Sequence, residues 1–194
     1  MKYRVKKRIF DLTLALILLP FVIILFIPIA VLIKIDSKGS VIHRQKRVGI
    51  NGREFVCYKF RTMKTDAPIV ARSDLKDPKK YVTRVGKYLR KYGLDELPQI
   101  FNVIKGQMSF VGPRPLLSCE ACVHRMRKDC GIYTVPPGIT GLCQIAERNV
   151  TSAYRRVSLD FEYFCKKSIA FDICILFWTV FPRRLTLGTL IGDP

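Results

Sequence analysis

The chain of 194 residues suits one soluble domain, or one domain with a membrane element, rather than a string of domains. Its 34 Lys and Arg against 15 Asp and Glu leave a net charge of +19, which restricts its partners to anionic classes: phosphorylated substrates, acidic lipid headgroups or nucleic acid. Seven irregularly spaced cysteines argue against a small disulfide framework and for a reducing, cytoplasmic setting.

The N-terminal segment is basic, and from Leu12 to Ile33 there are 22 residues without a charge. A straight helix of that length would reach about 33 Å, enough for a hydrocarbon core of about 30 Å. No small-residue cleavage site closes the run, so a cleaved signal peptide is not expected. Lys2, Arg4, Lys6, Lys7 and Arg8 precede it, and Lys34, Lys38, Arg44, Lys46 and Arg47 follow it. Positive charge on both flanks asks for both to be cytoplasmic. Pro20 and Pro28 lie inside the run, and each favours a bend by removing a donor and clashing with the carbonyl four residues earlier. A helix that enters the bilayer, bends and returns satisfies both observations; a kinked spanning anchor is the alternative. Asp11 is placed to pair with Lys7 or Arg8.

After Asp36 the composition is that of a basic soluble domain. GSVIHRQKRVG (39–49) and REFVCYKFRTM (53–63) alternate, and Asn51-Gly52 between them predicts a hairpin. Residues 64–80 read as a polar loop. Tyr81 to Tyr92 has helical spacing, and Leu94 to Ile104 reads as a helix with Asp95 as its N-cap type and Pro98 in its first turn. SFVGPRP (109–115) and VPPGITG (135–141) read as loops, and Tyr154 to Lys167 as a helix. The second apolar stretch, Ile169 to Phe181, is too short to span a bilayer and reads as an interfacial or a core helix.

Asp95 and Glu96 are the sharpest chemical feature. Carboxylates in a first helical turn commonly just complement the macrodipole. Here, however, Arg84, Lys87, Arg90 and Lys91 precede them and Arg114 follows in a rigid Gly-Pro-Arg-Pro turn. Carboxylates beside guanidinium groups stay ionised and can serve as a nucleophile or as Mg²⁺ ligands, and the same arginines can grip phosphate. Cys119-x-x-Cys122 with His124, Cys130 and Cys143 lacks the second paired spacing of a convincing zinc site. His43 reads as a hairpin residue rather than a catalyst. No GxxxxGK[ST] or GxGxxG is present. CYKFRTM and KYLRKYG would suit a nucleic-acid surface, a reading that the apolar N-terminus disfavours.

Six stretches, in order and spanning nearly the whole chain, resemble the bacterial sugar transferases known as monotopic phosphoglycosyl transferases. They are KRIFDLTLAL (7–16), GSVIHRQKRVG (39–49), YKFRTM (58–63), LDELPQIFNVIKGQMSFVGPRPL (94–116), PGITG (137–141) and LDFEYF (159–164). The resemblance implies an enzyme on the cytoplasmic face of the bacterial inner membrane. It implies transfer of a phosphosugar from a UDP-sugar to polyprenol phosphate with Mg²⁺, releasing UMP. It further implies Asp95 as nucleophile, Glu96 as its partner in a dyad that also binds the metal, and Arg90, Arg114, Lys59 and Asp160 as substrate-binding residues. Leu142-Cys143 and Ala146-Glu147 depart from the family's usual loop, and no Ser-Pro pair marks the middle of the membrane run.

The expected fold class is an α-rich α+β protein. Residues 1–35 would form a re-entrant membrane helix with a basic flank. Residues 36–194 would form a small cytoplasmic catalytic domain with a short β-hairpin and an interfacial helix at 169–184. Expected partners are a UDP-sugar, polyprenol phosphate and anionic lipids, with no nucleic acid, and a homodimer is compatible. The rival reading is a non-enzymatic, single-span membrane adaptor with a basic domain.

Overall fold

The computed structural model describes residues 2–67, 80–146 and 152–181. Most of the loop expected at 64–80, the end of the 142–147 segment and the basic closure after Phe181 lie outside these residues.

Helix α1 (Lys2–Asp36) is helical throughout, so the bend expected at Pro20 and Pro28 does not interrupt it. Lys7, Asp11, Ala15, Val22, Ile29 and Ile33 are its buried residues, and their spacing of four and seven places them on one face. That face packs on the domain, while Leu16, Ile17, Ile24, Ile27, Val31 and Ile35 point outward and are exposed. The helix is long and apolar enough to cross a membrane, and 17% of its most apolar window is buried.

Both ends of α1 are fastened to the same domain. Near the start, Arg8 donates to the carbonyls of Val103 (2.5 Å) and Ile104 (2.7 Å). Asp11 accepts from Ser109 Oγ (2.9 Å) and Phe110 N–H (3.2 Å), and its expected partner Lys7 lies at 3.7 Å. At the far end, Asp36 accepts from Val85 N–H (2.8 Å), and Arg61 donates to the carbonyl of Ser37 (2.7 Å).

The expected hairpin is present as β1 (Ile42–Val48) and β2 (Glu54–Phe60), antiparallel, with Asn51 and Gly52 at positive φ in the turn. His43 pairs with Lys59, Gln45 with Cys57 and Arg47 with Phe55. Alternation puts these six on one face. Helix α2 (Arg84–Tyr92) follows, capped by Thr83, whose hydroxyl accepts from Gly86 N–H, and by Asp36. Gly86 packs against the Thr62 backbone so closely that a Cβ would come within 2.2 Å of its carbonyl oxygen.

The helix expected over Leu94 to Ile104 is two pieces, a 3-10 turn (Leu94–Gln99) and α3 (Ile100–Ile104). Asp95 is not the N-cap. Gly93, left-handed at φ 69°, ends α2 and starts the 3-10 turn, a double role that favours glycine. Asn102, fully buried, then clamps α3 to β2: it donates to the carbonyl of Val56 (2.7 Å) and accepts from Tyr58 N–H (3.1 Å).

The two proline-rich segments are not only loops. Within them β3 (Ser109–Val111) pairs in parallel with β4 (Gly138–Thr140). The pairing needs Gly112 against Gly138: a Cβ on Gly138 would lie 2.1 Å from the Gly112 nitrogen. Helix α4 (Ala121–Asp129), α5 (Leu142–Ala146) and α6 (Ala153–Lys166) close the rear of the domain. Finally, α7 (Ile169–Val180) is both core and surface: Asp172 and Ile175 are buried, while Ile173, Phe177 and Val180 are exposed.

Candidate active site

The dyad sits where four segments meet: the inner face of the hairpin, the end of α2, the 3-10 turn and the Arg114–Pro115 segment after β3. Lys59, from β2, donates to Glu96 Oε1 at 2.6 Å, with both side chains about a quarter exposed. Arg90, in the last turn of α2, donates through Nε to the Thr62 hydroxyl (2.8 Å), and its charge reaches Asp95. Five of the expected site residues, Asp95, Glu96, Lys59, Arg90 and Arg114, therefore belong to one electrostatic neighbourhood.

The two carboxylates are driven apart. Burial pushes Asp95 above the usual aspartate range, and the adjacent Glu96 adds to this; Lys59 and Arg90 only partly offset it. Burial opposes ionisation of Glu96 as well. There the Lys59 charge and hydrogen bond, with Arg114 behind them, outweigh it and hold the carboxyl below its usual range. The Gln99 amide, close by but without a hydrogen bond of normal geometry, adds a smaller stabilising effect. Adjacent carboxylates with opposite shifts suit different tasks: Glu96 is a fixed, compensated anion, and Asp95 is the more basic and more nucleophilic one.

A small pocket opens beside Glu96, lined by Arg47, Cys57, Lys59, Gln99, Arg114 and Gly138 among others. Arg47 and Gln99 were not expected in the site. The strand register could have found Arg47, since it falls on the same hairpin face as Lys59. His43 shares that face with part of its surface in solvent, and partial desolvation followed by the charges of Lys59, Arg47 and Arg90 lowers its pKa.

Asp160 stands elsewhere. It is buried on α6, with its carboxylate held by Arg127 at 2.5 Å. Arg127 in turn donates to the Arg114 carbonyl at 2.8 Å. Asp160 is thus linked to the site through Arg127 and the backbone of Arg114. The His124 ring is likewise engaged, with the Tyr133 hydroxyl and the Leu117 carbonyl. Cys119 and Cys122 are exposed thiols.

Among the described residues no three His, Cys, Asp or Glu side chains form a metal cage. Asp95 and Glu96 nevertheless suit Mg²⁺, which is commonly held by one or two carboxylates and completed by substrate phosphates and water.

The family model for bacterial sugar transferases matches residues 2–183. The chain belongs to the bacterial sugar transferase family. Among its relatives is EpsL of Bacillus subtilis, an uncharacterized sugar transferase, 42% identical over 176 residues that cover 90% of this chain and 85% of EpsL. An undecaprenyl-phosphate glucose phosphotransferase of Komagataeibacter xylinus is 40% identical over 188 residues, covering 90% of this chain and 35% of that protein. The UDP-glucose:undecaprenyl-phosphate glucose-1-phosphate transferase of Escherichia coli is 40% identical over 187 residues, covering 92% of this chain and 40% of that protein. The chain therefore spans well under half of these two phosphotransferases but most of EpsL.

Proposed function

We propose that this sugar transferase moves a phosphosugar from a UDP-sugar to polyprenol phosphate through a covalent intermediate on Asp95. The observation that carries the reading is the divided dyad. Glu96 is locked by Lys59, whereas Asp95 keeps a raised pKa among cations. The names of the relatives from Komagataeibacter and Escherichia support the substrate classes.

In the first half-reaction an Asp95 carboxylate oxygen attacks the sugar-bearing phosphorus. The P–O bond to the nucleotide breaks, and UMP leaves with the electron pair. In the second, a phosphate oxygen of the polyprenol phosphate attacks the same phosphorus. The acyl-phosphate bond breaks, the Asp95 carboxylate is restored, and a polyprenyl diphosphate-sugar is formed. The two polyanionic substrates never need to share the site, which avoids their mutual repulsion. Arg90, Arg114 and Lys59 bind phosphate oxygens, and Arg90 and Lys59 offset part of the burial that raises Asp95. Asp95 and Glu96 would hold Mg²⁺, which supplies charge neutralisation on the diphosphate when bound. Asp160 positions Arg114 through Arg127.

The same reading places the enzyme on the cytoplasmic face of the inner membrane, with α1 entering the bilayer without crossing it. Its two ends are bonded to one domain, which a crossing helix would have to divide between opposite sides. The outward apolar residues of α1 and of α7 would face lipid.

The experiment is UMP release from a panel of UDP-sugars with polyprenol phosphate and Mg²⁺, wild type beside Asp95→Asn. Release with at least one sugar and loss in the variant are expected. Equal release by the variant would remove Asp95 from the reaction. No release with any sugar from folded, membrane-bound enzyme would favour the adaptor reading. In sealed vesicles, cysteines introduced at the two ends of α1 should react with an impermeant reagent from one side only; labelling from opposite sides would mean a span.

A further inference from the structure

The small pocket beside Glu96 carries more positive charge than its surroundings use. Lys59 is neutralised by Glu96. Arg47 donates instead to neutral acceptors, the Pro115 carbonyl (3.1 Å) and Gln45 Oε1 (2.6 Å). Arg114 is fixed through its own carbonyl by Arg127. Neither Arg47 nor Arg114 forms an ion pair among the described residues. Two guanidinium groups thus line one pocket without a carboxylate of their own.

Gln99 adds a neutral donor. Its side chain is 2% exposed, it lines the same pocket, and among the described residues its Nε2 makes no hydrogen bond of normal geometry, although it lies close enough to the Glu96 carboxylate to favour its ionised form. A buried amide donor without a well-formed hydrogen bond in a polar pocket can take up an acceptor that arrives from outside. The innermost cavity measures about 10 Å³, room for one water-sized atom. A single phosphoryl oxygen fits it, and a sugar ring does not.

Asp95 does not line this pocket. The phosphorus it attacks must lie against its own carboxylate, so the pocket on the Glu96 side receives the other phosphate of the diphosphate. Resting on the transferase reading above, we propose that Arg47 and Gln99, with Arg114, form an oxyanion seat for the phosphate that departs with UMP. Negative charge grows on that phosphate as its bond to the sugar phosphate breaks, and fixed donors there stabilise the transition state of the first half-reaction. Burial and the neighbouring Arg114 lower the pKa of Arg47, and Glu120 and Glu96 offset only part of this.

The test reads UMP and uridine binding by calorimetry, then each half-reaction separately, in the full-length enzyme. Arg47→Gln and Gln99→Leu should each weaken UMP binding, by about 10–100-fold for the charged group and about 3–10-fold for the amide, with uridine binding unchanged. Formation of the phosphosugar-enzyme should slow in parallel. Discharge of preformed intermediate to polyprenol phosphate should slow as well, because an in-line attack opposite Asp95 brings the acceptor phosphate into the seat that UMP has vacated. Arg47→Lys should recover part of the loss. Equal weakening of UMP and uridine would show a merely structural role and overturn the proposal. So would unchanged UMP binding in Gln99→Leu and Arg47→Lys, which remain informative if Arg47→Gln does not fold. Wild-type enzyme that binds no UMP and releases none would instead overturn the transferase reading itself.

Discussion

Two charged clusters in this molecule look alike on paper and behave oppositely. At the base of α1, Lys7 is 3% exposed and lies 2.8 Å from Asp172, which is completely buried and also accepts from the Tyr163 hydroxyl at 2.8 Å. Asp11 completes that cluster with Ser109 and Phe110 as donors. One cation there stands between two buried carboxylates, hydroxyl and N–H donors from the protein serve the remaining oxygens, and the cluster joins α1, β3, α6 and α7. At the dyad, Asp95, Glu96 and Lys59 are only partly buried, Asp95 lacks full compensation, and Arg47 and Arg114 form no ion pair among the described residues. A closed cluster is architecture. An open one, with cations and donors in excess, waits for an anion.

The comparison is most easily broken at its extremes. Asp95→Asn should lower UMP release by at least about a thousandfold while the enzyme stays folded and membrane-bound, as read by sedimentation with membranes. Asp172→Leu should act the other way round: it leaves buried Lys7 with only the longer 3.7 Å contact to Asp11 and should destabilise the fold by about 3 kcal/mol, read from thermal or denaturant unfolding. Lys7→Met with Asp172→Leu should cost less than Asp172→Leu alone, since the poorly compensated cation is removed and Asp11 keeps its Ser109 and Phe110 donors.

Smaller effects sharpen the contrast. Gly86→Ala puts a methyl into the Thr62 backbone, displaces the helix carrying Arg90 and should cost about 1–3 kcal/mol along with part of the activity. The acid limb of the pH–rate profile should lie above the ordinary aspartate range, because Asp95 must be ionised to attack and its pKa is raised. Lys59→Met removes a cation that lowers Asp95, so the limb should move to still higher pH; a shift to lower pH would contradict the assignment. Arg127→Met combined with Asp160→Leu, which leaves no buried charge stranded, frees the Arg114 carbonyl and should raise KM for the UDP-sugar more than it lowers kcat.

Much of this was legible in the residues themselves. Asn51-Gly52 announced the hairpin because few sequences tolerate two positive φ angles in succession. The dyad and its arginines stood out because acids are scarce in so basic a chain. The pairing of β3 with β4 was hidden, since three-residue strands have too little alternation to read and their contact is made by glycines far apart in sequence. Asp95 looked like an N-cap because aspartate favours that position, but Gly93 took it by adopting the left-handed conformation. Asp160 carried no local sign that Arg127, on another helix, would occupy it. Arg47 was obscured by its basic neighbours, and only the register separates it from Arg44 and Lys46 on the other face.

The most direct test of the central claim is the mass of the enzyme after incubation with a turned-over UDP-sugar in the absence of polyprenol phosphate. A single added phosphosugar should appear on the peptide containing Asp95, be absent in Asp95→Asn and disappear when polyprenol phosphate is supplied. Stoichiometric UMP release with no adduct, or an adduct on another residue, would contradict it.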